Sequence, residues 1–173
     1  MTREKEQLTK EAALLNKFLG QYKYCLNAKK NLETRKKEIE YEYKHPLSSP
    51  QMDGISAKSS GKQPEGFTSI LIMVEEINKR IDEQMNKCIN VLTQIYEIIS
   101  FLPDNTIEKL IFEHKYIDCM NWDKICRIEN ITKTPAVHHW RKGLYRLLEF
   151  KKIKKMIEEY SQIIEKITED MEE

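Results

Sequence analysis

Apolar residues recur at alternating steps of four and three residues in two separate stretches of this chain. In the first stretch they are Leu8, Ala12, Leu15, Leu19, Tyr22 and Leu26. In the second stretch they are Ile81, Met85, Cys88, Leu92, Ile95, Ile99 and Leu102. This spacing places apolar side chains along one side of an α-helix and is typical of coiled coils. The sequence therefore predicts an all-α protein whose N-terminal part is a long helical hairpin or a coiled coil.

A segment rich in proline and glycine separates the two stretches. Residues 45–67 contain three of the five prolines and three of the five glycines, which favours a flexible loop. We predict a coiled-coil or oligomerisation region over 1–102 that includes this loop, with Thr68 as the cap of its second helix. An amphipathic helix is predicted at 151–173. It is expected to extend the helix before it or to follow that helix after a kink, and to dock on the N-terminal helices or on a partner chain. The spacing leaves open whether the long helices pair within one chain or between chains.

The region between them, 103–150, shows the pattern of a helix-turn-helix. The predicted order is a helix from Asn105 to Ile117, a turn at 118–121, a short helix at 122–129 and a turn at 130–133. Asn105 is the predicted cap of the first helix. The last helix is predicted to begin with Thr134 as its cap and Pro135 at its first position, where a missing amide hydrogen is tolerated.

This last helix separates apolar from polar side chains. Its apolar side is formed by Val137, Trp140, Leu144, Leu147 and Leu148. In a helix-turn-helix the amino end of the second helix reaches the base edges of DNA. The candidate DNA-binding residues are Lys133, Thr134, Pro135, Ala136, His138, His139, Arg141, Lys142, Tyr145 and Arg146. Arg141 suits guanine or a phosphate, and a small Ala136 would keep the backbone close to DNA. His139 borders the apolar side, so a partly buried histidine is the alternative there.

Charge is unevenly distributed, although the net charge is only +1. Residues 109–155 hold 12 Lys or Arg against 5 Asp or Glu, an excess of seven positive charges. Residues 156–173 hold 1 Lys against 7 Asp or Glu, an excess of six negative charges. A local basic block favours an anionic partner, and the acidic end would be repelled by DNA.

Several other classes of protein are disfavoured. No phosphate-binding glycine loop, nucleophile elbow or HExxH motif is present, so no enzyme activity and no cofactor are expected. The cysteine and histidine spacing around Cys119, Cys126 and His138 lacks the short knuckle of structural zinc sites, so no metal is expected. Without a secretory signal, a long apolar run or a disulfide framework, we expect a reduced cytoplasmic protein that does not enter membranes.

Two stretches of the C-terminal half, NWDKICRIENITKT and WRKGLYRLL, resemble region 4 of the sigma-70 family. The matching positions are Trp122, Ile125, Cys126, Ile131, Thr132, Leu144 and Leu147. The layout of the whole chain resembles the ArpU-like and RinA-like regulators of late transcription in phages and prophages. Val137, Trp140 and Arg141 match the V-x-x-W-R run of the RinA-like members. The resemblance implies a sigma-like helix-turn-helix and contact with RNA polymerase.

The leading hypothesis is a sequence-specific DNA-binding regulator of transcription, of phage or prophage type. It would bind double-stranded DNA as a homodimer, because one small motif makes few base contacts and two half-sites supply the missing affinity. One alternative is a small terminase subunit or a similar recognition factor for DNA packaging. The other is a coiled-coil adaptor that binds a protein partner and has no specific affinity for DNA.

Overall fold

A computed structural model describes residues 8–44 and 65–170, which form helices and contain no strand. The helices are α1 (Lys10–Leu19), α2 (Gln21–Lys44), α3 (Glu65–Ile99), α4 (Ile107–Phe112) with a π-helical continuation (Glu113–Ile117), α5 (Trp122–Ile128), α6 (Lys133–Leu148) and α7 (Lys151–Glu169). The all-α prediction is confirmed. The predicted loop at 45–67 lies outside the described residues as far as residue 64. Residues 65–67 belong to α3, so that helix begins before the predicted cap at Thr68.

The described residues fall into two compact units. One unit comprises the residues up to Tyr24 and those from Ile89 onward, and we call it the core unit. The other comprises Cys25–Cys88, the larger part of α2 and α3, and we call it the hairpin unit. Nearly all of the buried hydrophobic side chains among the described residues belong to the core unit, which also contains α5 and α6, the two helices predicted as a helix-turn-helix.

Helix α1 packs into the core unit. The hydroxyl of Thr9 caps it by accepting a hydrogen bond from the amide of Ala12 at 3.3 Å. Ala12, Leu15 and Leu19 are fully buried, and α1 contacts α6 and α7. The heptad-spaced residues of α1 therefore pack against α6 and α7. The ring of Phe18 meets that of Tyr160 edge-on, with 5.1 Å between centroids, so α7 docks on an N-terminal helix.

The start of α4 differs from the prediction by one residue. Thr106, not Asn105, is the cap, and its hydroxyl accepts from the amide of Lys109 at 3.4 Å. Asn105 has a φ of 58°, a left-handed conformation that Asn tolerates better than most residues and that lies outside a helix. Asn105 therefore forms the turn after α3, and the next residue, Thr106, caps α4.

Two tight turns frame α5, as predicted. Cys119 and Asn130 both have positive φ, 54° and 51°, and each reverses the chain after a helix. The side chain of Asn121 caps α5 by accepting from the amide of Lys124 at 2.9 Å. The predicted start of α6 was wrong, because Thr132 is the cap and Thr134 and Pro135 lie inside the first turn. Proline is still tolerated there, since the amides of a helix's first turn have no helical acceptor.

A chain of hydrogen bonds through the buried Tyr116 joins three helical elements. The indole nitrogen of Trp140 on α6 donates to the hydroxyl of Tyr116 at 2.7 Å. That hydroxyl donates to the side-chain oxygen of Asn16 on α1 at 2.8 Å. Burial raises the pKa of Tyr116, only partly offset by the bond from Trp140, so the phenol stays protonated and keeps its donor role. A buried polar group left without its partner would cost about 1–3 kcal/mol, so these bonds favour one arrangement of the three elements.

Helices α4 and α6 approach each other closely at Gly143. A Cβ atom built on Gly143 would lie 2.6 Å from Cε2 of Phe112, closer than real Cβ atoms come to other atoms. Phe112 is itself fully buried, so its ring has little room to move. The absence of a side chain at Gly143 is what lets α6 lie flat on α4.

We therefore expect Gly143→Ala to destabilise the protein by about 1–3 kcal/mol, the usual cost of adding an atom group to a packed core. Urea unfolding followed by circular dichroism would measure the change. The matched control is Gly20→Ala, because a Cβ there would lie 3.4 Å from the carbonyl oxygen of Asn16 and Gly20 has a helical φ of −72°. Equal stability of the two variants would show that the contact with Phe112 does not limit packing.

Candidate nucleic-acid interface

The outward face of α6 carries most of the predicted site. The exposed members of the predicted set are Lys133, Thr134, Pro135, His138, Lys142, Tyr145 and Arg146. Arg141 and His139 are partly buried at the two edges of this face. The placement of Ala136 on this face was wrong, because its side chain is fully buried in the core. Ala136 lies one turn before Trp140 and shares its inward direction, since residues four apart lie on the same side of a helix.

Seven side chains of α6 line one open concavity. They are Lys133, Thr134, Val137, His138, Arg141, Lys142 and Tyr145, and we call this surface the α6 patch. Three of the seven are cationic at neutral pH and one, Val137, is apolar. The patch thus brings together positive charge and hydrogen-bond donors along most of the length of one helix, beginning at its amino end. Such a surface fits an extended anion.

The amino end of α6 adds to the positive potential of the α6 patch. The first amides of a helix have no helical acceptor, and the helix dipole makes this end positive. No acidic residue occupies the first turn of α6, and Thr132 makes no side-chain capping bond to it. In α5, by contrast, Asp123 lies in the first turn and Asn121 caps it. The amino end of α6 is thus left to attract an anion from outside the helix.

Glu108 on α4 holds two predicted site residues from below. Its carboxylate lies 3.1 Å from Nζ of Lys142 and 3.2 Å from Nδ1 of His139, and only 4% of its surface is exposed. Burial by itself would raise the pKa of Glu108, but hydrogen bonds from its own backbone, Lys142 and His139 outweigh burial and lower the pKa to about 2. In the sequence Glu108 stands three residues after Asn105, which indicates only the second position of a helix-capping box. Its partners lie 31 and 34 positions away along the chain, which no local pattern reveals.

The contacts of Glu108 give His138 and His139 different roles. His139 faces Glu108 and is partly buried, as the alternative interpretation had it. His138 is exposed and lines the α6 patch. Lys142 belongs to both arrangements, because its amine contacts Glu108 while 60% of its side chain remains exposed. His139 therefore positions α6, and His138 and Lys142 are the members of this group that a ligand can reach.

His114 links the π-helical turn to the end of α5. Its Nδ1 lies 3.0 Å from a carboxylate oxygen of Asp118, and its Nε2 lies 2.9 Å from one of Glu129. Burial would lower the pKa of His114, but the hydrogen bonds and charges of these two carboxylates outweigh burial and raise it. With an acceptor at each ring nitrogen, the doubly protonated imidazolium is the form that satisfies both contacts. The histidine thus fastens the first helix of the helix-turn-helix to the element before it.

Lys115 does not add to the exposed basic surface, because its amine lies against aromatic rings. Its amine lies 4.4 Å from the ring centre of Trp122 and 5.7 Å from that of Trp140. The two indoles meet edge-on, with 5.9 Å between centroids. Burial, followed by the positive charge of Lys23, lowers the pKa of Lys115. The amine stabilises the junction of α5 with α6 through cation–π contact rather than facing an external anion.

Several exposed cations near the motif lie outside the predicted site. Lys124 and Arg127 are exposed on α5, and Lys151 and Lys154 are exposed at the start of α7. In helix-turn-helix proteins the first helix of the pair crosses the DNA backbone, so cations on α5 suit phosphates. Their charge was visible in the sequence, but their exposure was not, because α5 is too short to show a clear periodicity.

The cysteines and histidines considered as zinc ligands take other positions. The thiol of Cys119 faces the carbonyl oxygen of Tyr116 at 3.9 Å, and Cys126 packs against the core. Across residues 8–44 and 65–170, no group of three or more His, Cys, Asp or Glu side chains has the arrangement of a metal site. Within the same described ranges, no helix has both the length and the apolar character needed to cross a membrane.

The helices and their order define an all-α protein in which a tight turn at Asn130 joins the short helix α5 to α6. Comparison of the chain with protein-family models, with curated proteins and with solved structures gives no match. The function must therefore be inferred from the surface chemistry of the described residues.

Stability should depend on Glu108 at acid pH. Because the pKa of Glu108 is lowered from 4.5 to about 2, its contribution is present above pH 4.5 and is lost as pH falls towards 2. We expect Glu108→Gln to cost about 1.5–3 kcal/mol at pH 7, the range for hydrogen bonds to charged groups, and to flatten the acid part of the stability curve. Urea unfolding between pH 2 and 7 measures both, with Glu149→Gln, at an exposed position just after α6, as the control. A variant with the wild-type acid profile would contradict the role given to Glu108.

The His114 contacts predict the opposite dependence. A group whose pKa is raised on folding stabilises the protein below its unfolded pKa and loses that effect as pH rises through the folded value. We expect the free energy of unfolding to fall as pH rises above 6.5, the ordinary histidine value, and His114→Gln to remove that fall. NMR titration of the histidine ring protons would identify His114 directly. The control is His138→Gln, because His138 is exposed. If the free energy of unfolding of His114→Gln fell with rising pH as in the wild type, this explanation would be ruled out.

Proposed function

We propose that this protein is a sequence-specific double-stranded DNA-binding regulator of transcription that reads the major groove with the amino end of α6. The observation that carries the proposal is the α6 patch, a cationic surface on the outward face of the second helix after a tight turn. Helix α6 has 16 residues and is about 24 Å long at 1.5 Å per residue. Such a rod fits the major groove, which is about 12 Å wide.

The exposure of each side chain supports separate roles for residues that contact bases and residues that contact phosphates. Lys133 and His138 lie in the first two turns of α6, nearest the amino end, and are exposed. Arg141 lines the same concavity further along and can fork onto guanine or grip a phosphate. Lys142 and Arg146 suit phosphates, because both are exposed on the following turns. Ala136 leaves the set of DNA-contacting residues, and His139 acts through the position of α6.

A homodimer would complete such a regulator. One helix-turn-helix makes few base contacts, and a two-fold pair reads two half-sites about one DNA turn apart. An origin in a phage or prophage and contact with RNA polymerase follow from the resemblance to the ArpU-like and RinA-like group, and they are part of the proposal on that ground alone. Action in the cytoplasm is proposed because the four cysteines form no disulfide framework.

The proposal is tested with Arg141→Ala combined with Lys142→Ala. The bound sequence is first selected from random DNA fragments with the wild-type protein. The double variant should then bind that sequence at least ten-fold more weakly, since a good bidentate base contact contributes about 1–3 kcal/mol. Its affinity should also respond less steeply to salt, by about 0.9 in the logarithmic slope for each phosphate that it no longer neutralises. This variant should also melt at a lower temperature, because buried Glu108 is deprived of its Lys142 partner.

The control separates stability from DNA contact. Glu108→Gln weakens the same ion pair but leaves both cations of the patch in place, so it should melt earlier and still bind the selected sequence. A charge-matched control, Lys17→Ala on α1 with Lys166→Ala on α7, removes two exposed cations outside the motif and outside the hairpin unit. Unchanged binding by the Arg141 and Lys142 variant would overturn the proposal. Wild-type binding that is weak and equal for every sequence would favour the adaptor alternative instead, and a ring of many subunits would favour a DNA-packaging factor.

A further inference from the structure

Near its amino end, α3 has one short segment with apolar side chains on every side of the helix. Residues 70–74 are five consecutive hydrophobic residues in the sequence ILIMV. Successive residues of a helix point about 100° apart, so five in a row cannot all face one neighbour. Leu71 is 48% exposed, Ile72 is 59% exposed and Met73 is 50% exposed. We call these three side chains the α3 apolar surface. A helix that is hydrophobic all round is normally buried, so this surface lacks part of its packing.

The rest of the hairpin unit is thinly packed as well. Gln84 donates from Nε2 to the backbone carbonyl oxygen of Cys25 at 3.2 Å, which places α3 beside α2. Yet α2 has no buried residue, and Cys88 is the one buried hydrophobic residue among those described between Cys25 and Cys88. Met85 is 41% exposed as well. Long helices gain most of their stability from tertiary packing, so two helices with so little burial call for a further partner.

Charge indicates which partner fits. From Cys25 to Lys44, α2 carries 6 Lys or Arg and 4 Asp or Glu, an excess of two positive charges. From Glu65 to Cys88, α3 carries 3 Lys or Arg and 5 Asp or Glu, an excess of two negative charges. In a bundle of two hairpins each helix has two neighbours, so α2 of one copy can lie against α3 of the other with opposite charge. A second copy of the hairpin unit therefore offers apolar and electrostatic complementarity together.

The segment between the two helices, which is the alternative to a second copy as a cover for the α3 apolar surface, is a poorer match. The residues between the helices, 45–64, include only four hydrophobic side chains, Leu47, Met52, Ile55 and Ala57.

The paired face of two helices of about 20 residues measures roughly 30 Å by 20 Å, from a rise of 1.5 Å per residue and a width of about 10 Å per helix. That area, roughly 600 Å², is of the order of the 800 Å² per partner that a stable protein interface buries.

We infer that the hairpin unit is a self-association surface, on which two copies pair with the α3 apolar surface buried in a four-helix bundle. Each copy contributes α2 and α3, and α3 of one copy lies against α2 of its partner. This surface would form the dimer invoked above, and its pairing depends on packing and charge whether or not α6 binds DNA.

The test is analytical ultracentrifugation of the full chain at tens of micromolar. The wild-type protein should sediment as a dimer, and Leu71→Glu with Ile72→Glu as a monomer, because each copy would bury two uncompensated charges. Circular dichroism checks that the core unit of the variant is folded, since neither side chain belongs to the buried core. Asn86→Glu with Asn90→Glu is the matched control, as it adds the same charge at exposed polar positions of α3 and should remain a dimer.

Three results would overturn the inference: a monomeric wild-type protein, a variant that stays dimeric, or an assembly larger than two copies. If the glutamates reduce helix content, Leu71→Ser with Ile72→Ser weakens the apolar contact without added charge and serves as the same test. DNA binding is scored separately. A wild-type dimer without sequence preference would remove the proposed function and leave this surface intact. A monomeric wild-type protein that binds a selected sequence would do the reverse.

Discussion

The packing of Trp140 is the interaction on which the rest of the core unit depends. Its indole nitrogen donates to Tyr116, whose hydroxyl donates to Asn16, so one line of hydrogen bonds crosses from α6 to α1 through the π-helical turn. Its ring also meets Trp122 of α5 edge-on. Each bond satisfies a group that would otherwise be buried without a partner, so a small rotation of α6 would break several contacts at once. The orientation of α6, and with it the direction of the α6 patch, follows from this arrangement.

Electrostatic contacts beneath the motif complement that packing. Glu108 draws Lys142 and His139 towards α4, while Asp118 and Glu129 hold His114 between them. These carboxylates contact His139 and His114 on the inner side of the motif and also Lys142, which stays 60% exposed and belongs to the α6 patch as well. The cations on the outer side, including Lys133 and Arg146, are exposed. The basic block seen in the sequence is thus divided into a part that stabilises the fold and a part that can meet an anion.

The sequence alone predicted much of the local structure. The helix order, the short α5 and the turns before and after it followed from periodicity and from turn-forming residues. The helix starts were less accurate, as with Thr106 in place of Asn105 and Thr132 in place of Thr134, because neighbouring residues such as Asn and Thr can both cap a helix. Ala136 was misplaced for a related reason, since alanine fits either face of a helix.

What the sequence by itself determined is the set of amphipathic helices, because the spacing of apolar residues is a local property of the chain. It also located the basic block and the hydrogen-bond donors near the start of α6. Tertiary structure alone decided which polar side chains are hydrogen-bonded inside the protein. Glu108 contacts residues more than 30 positions away, and Tyr116 contacts Asn16 across 100 positions. It also decided that residues 8–19 pack on the helix-turn-helix although their spacing is that of a coiled coil. A stripe of apolar side chains specifies that a partner is needed, and only the three-dimensional arrangement of the chain selects which partner it is.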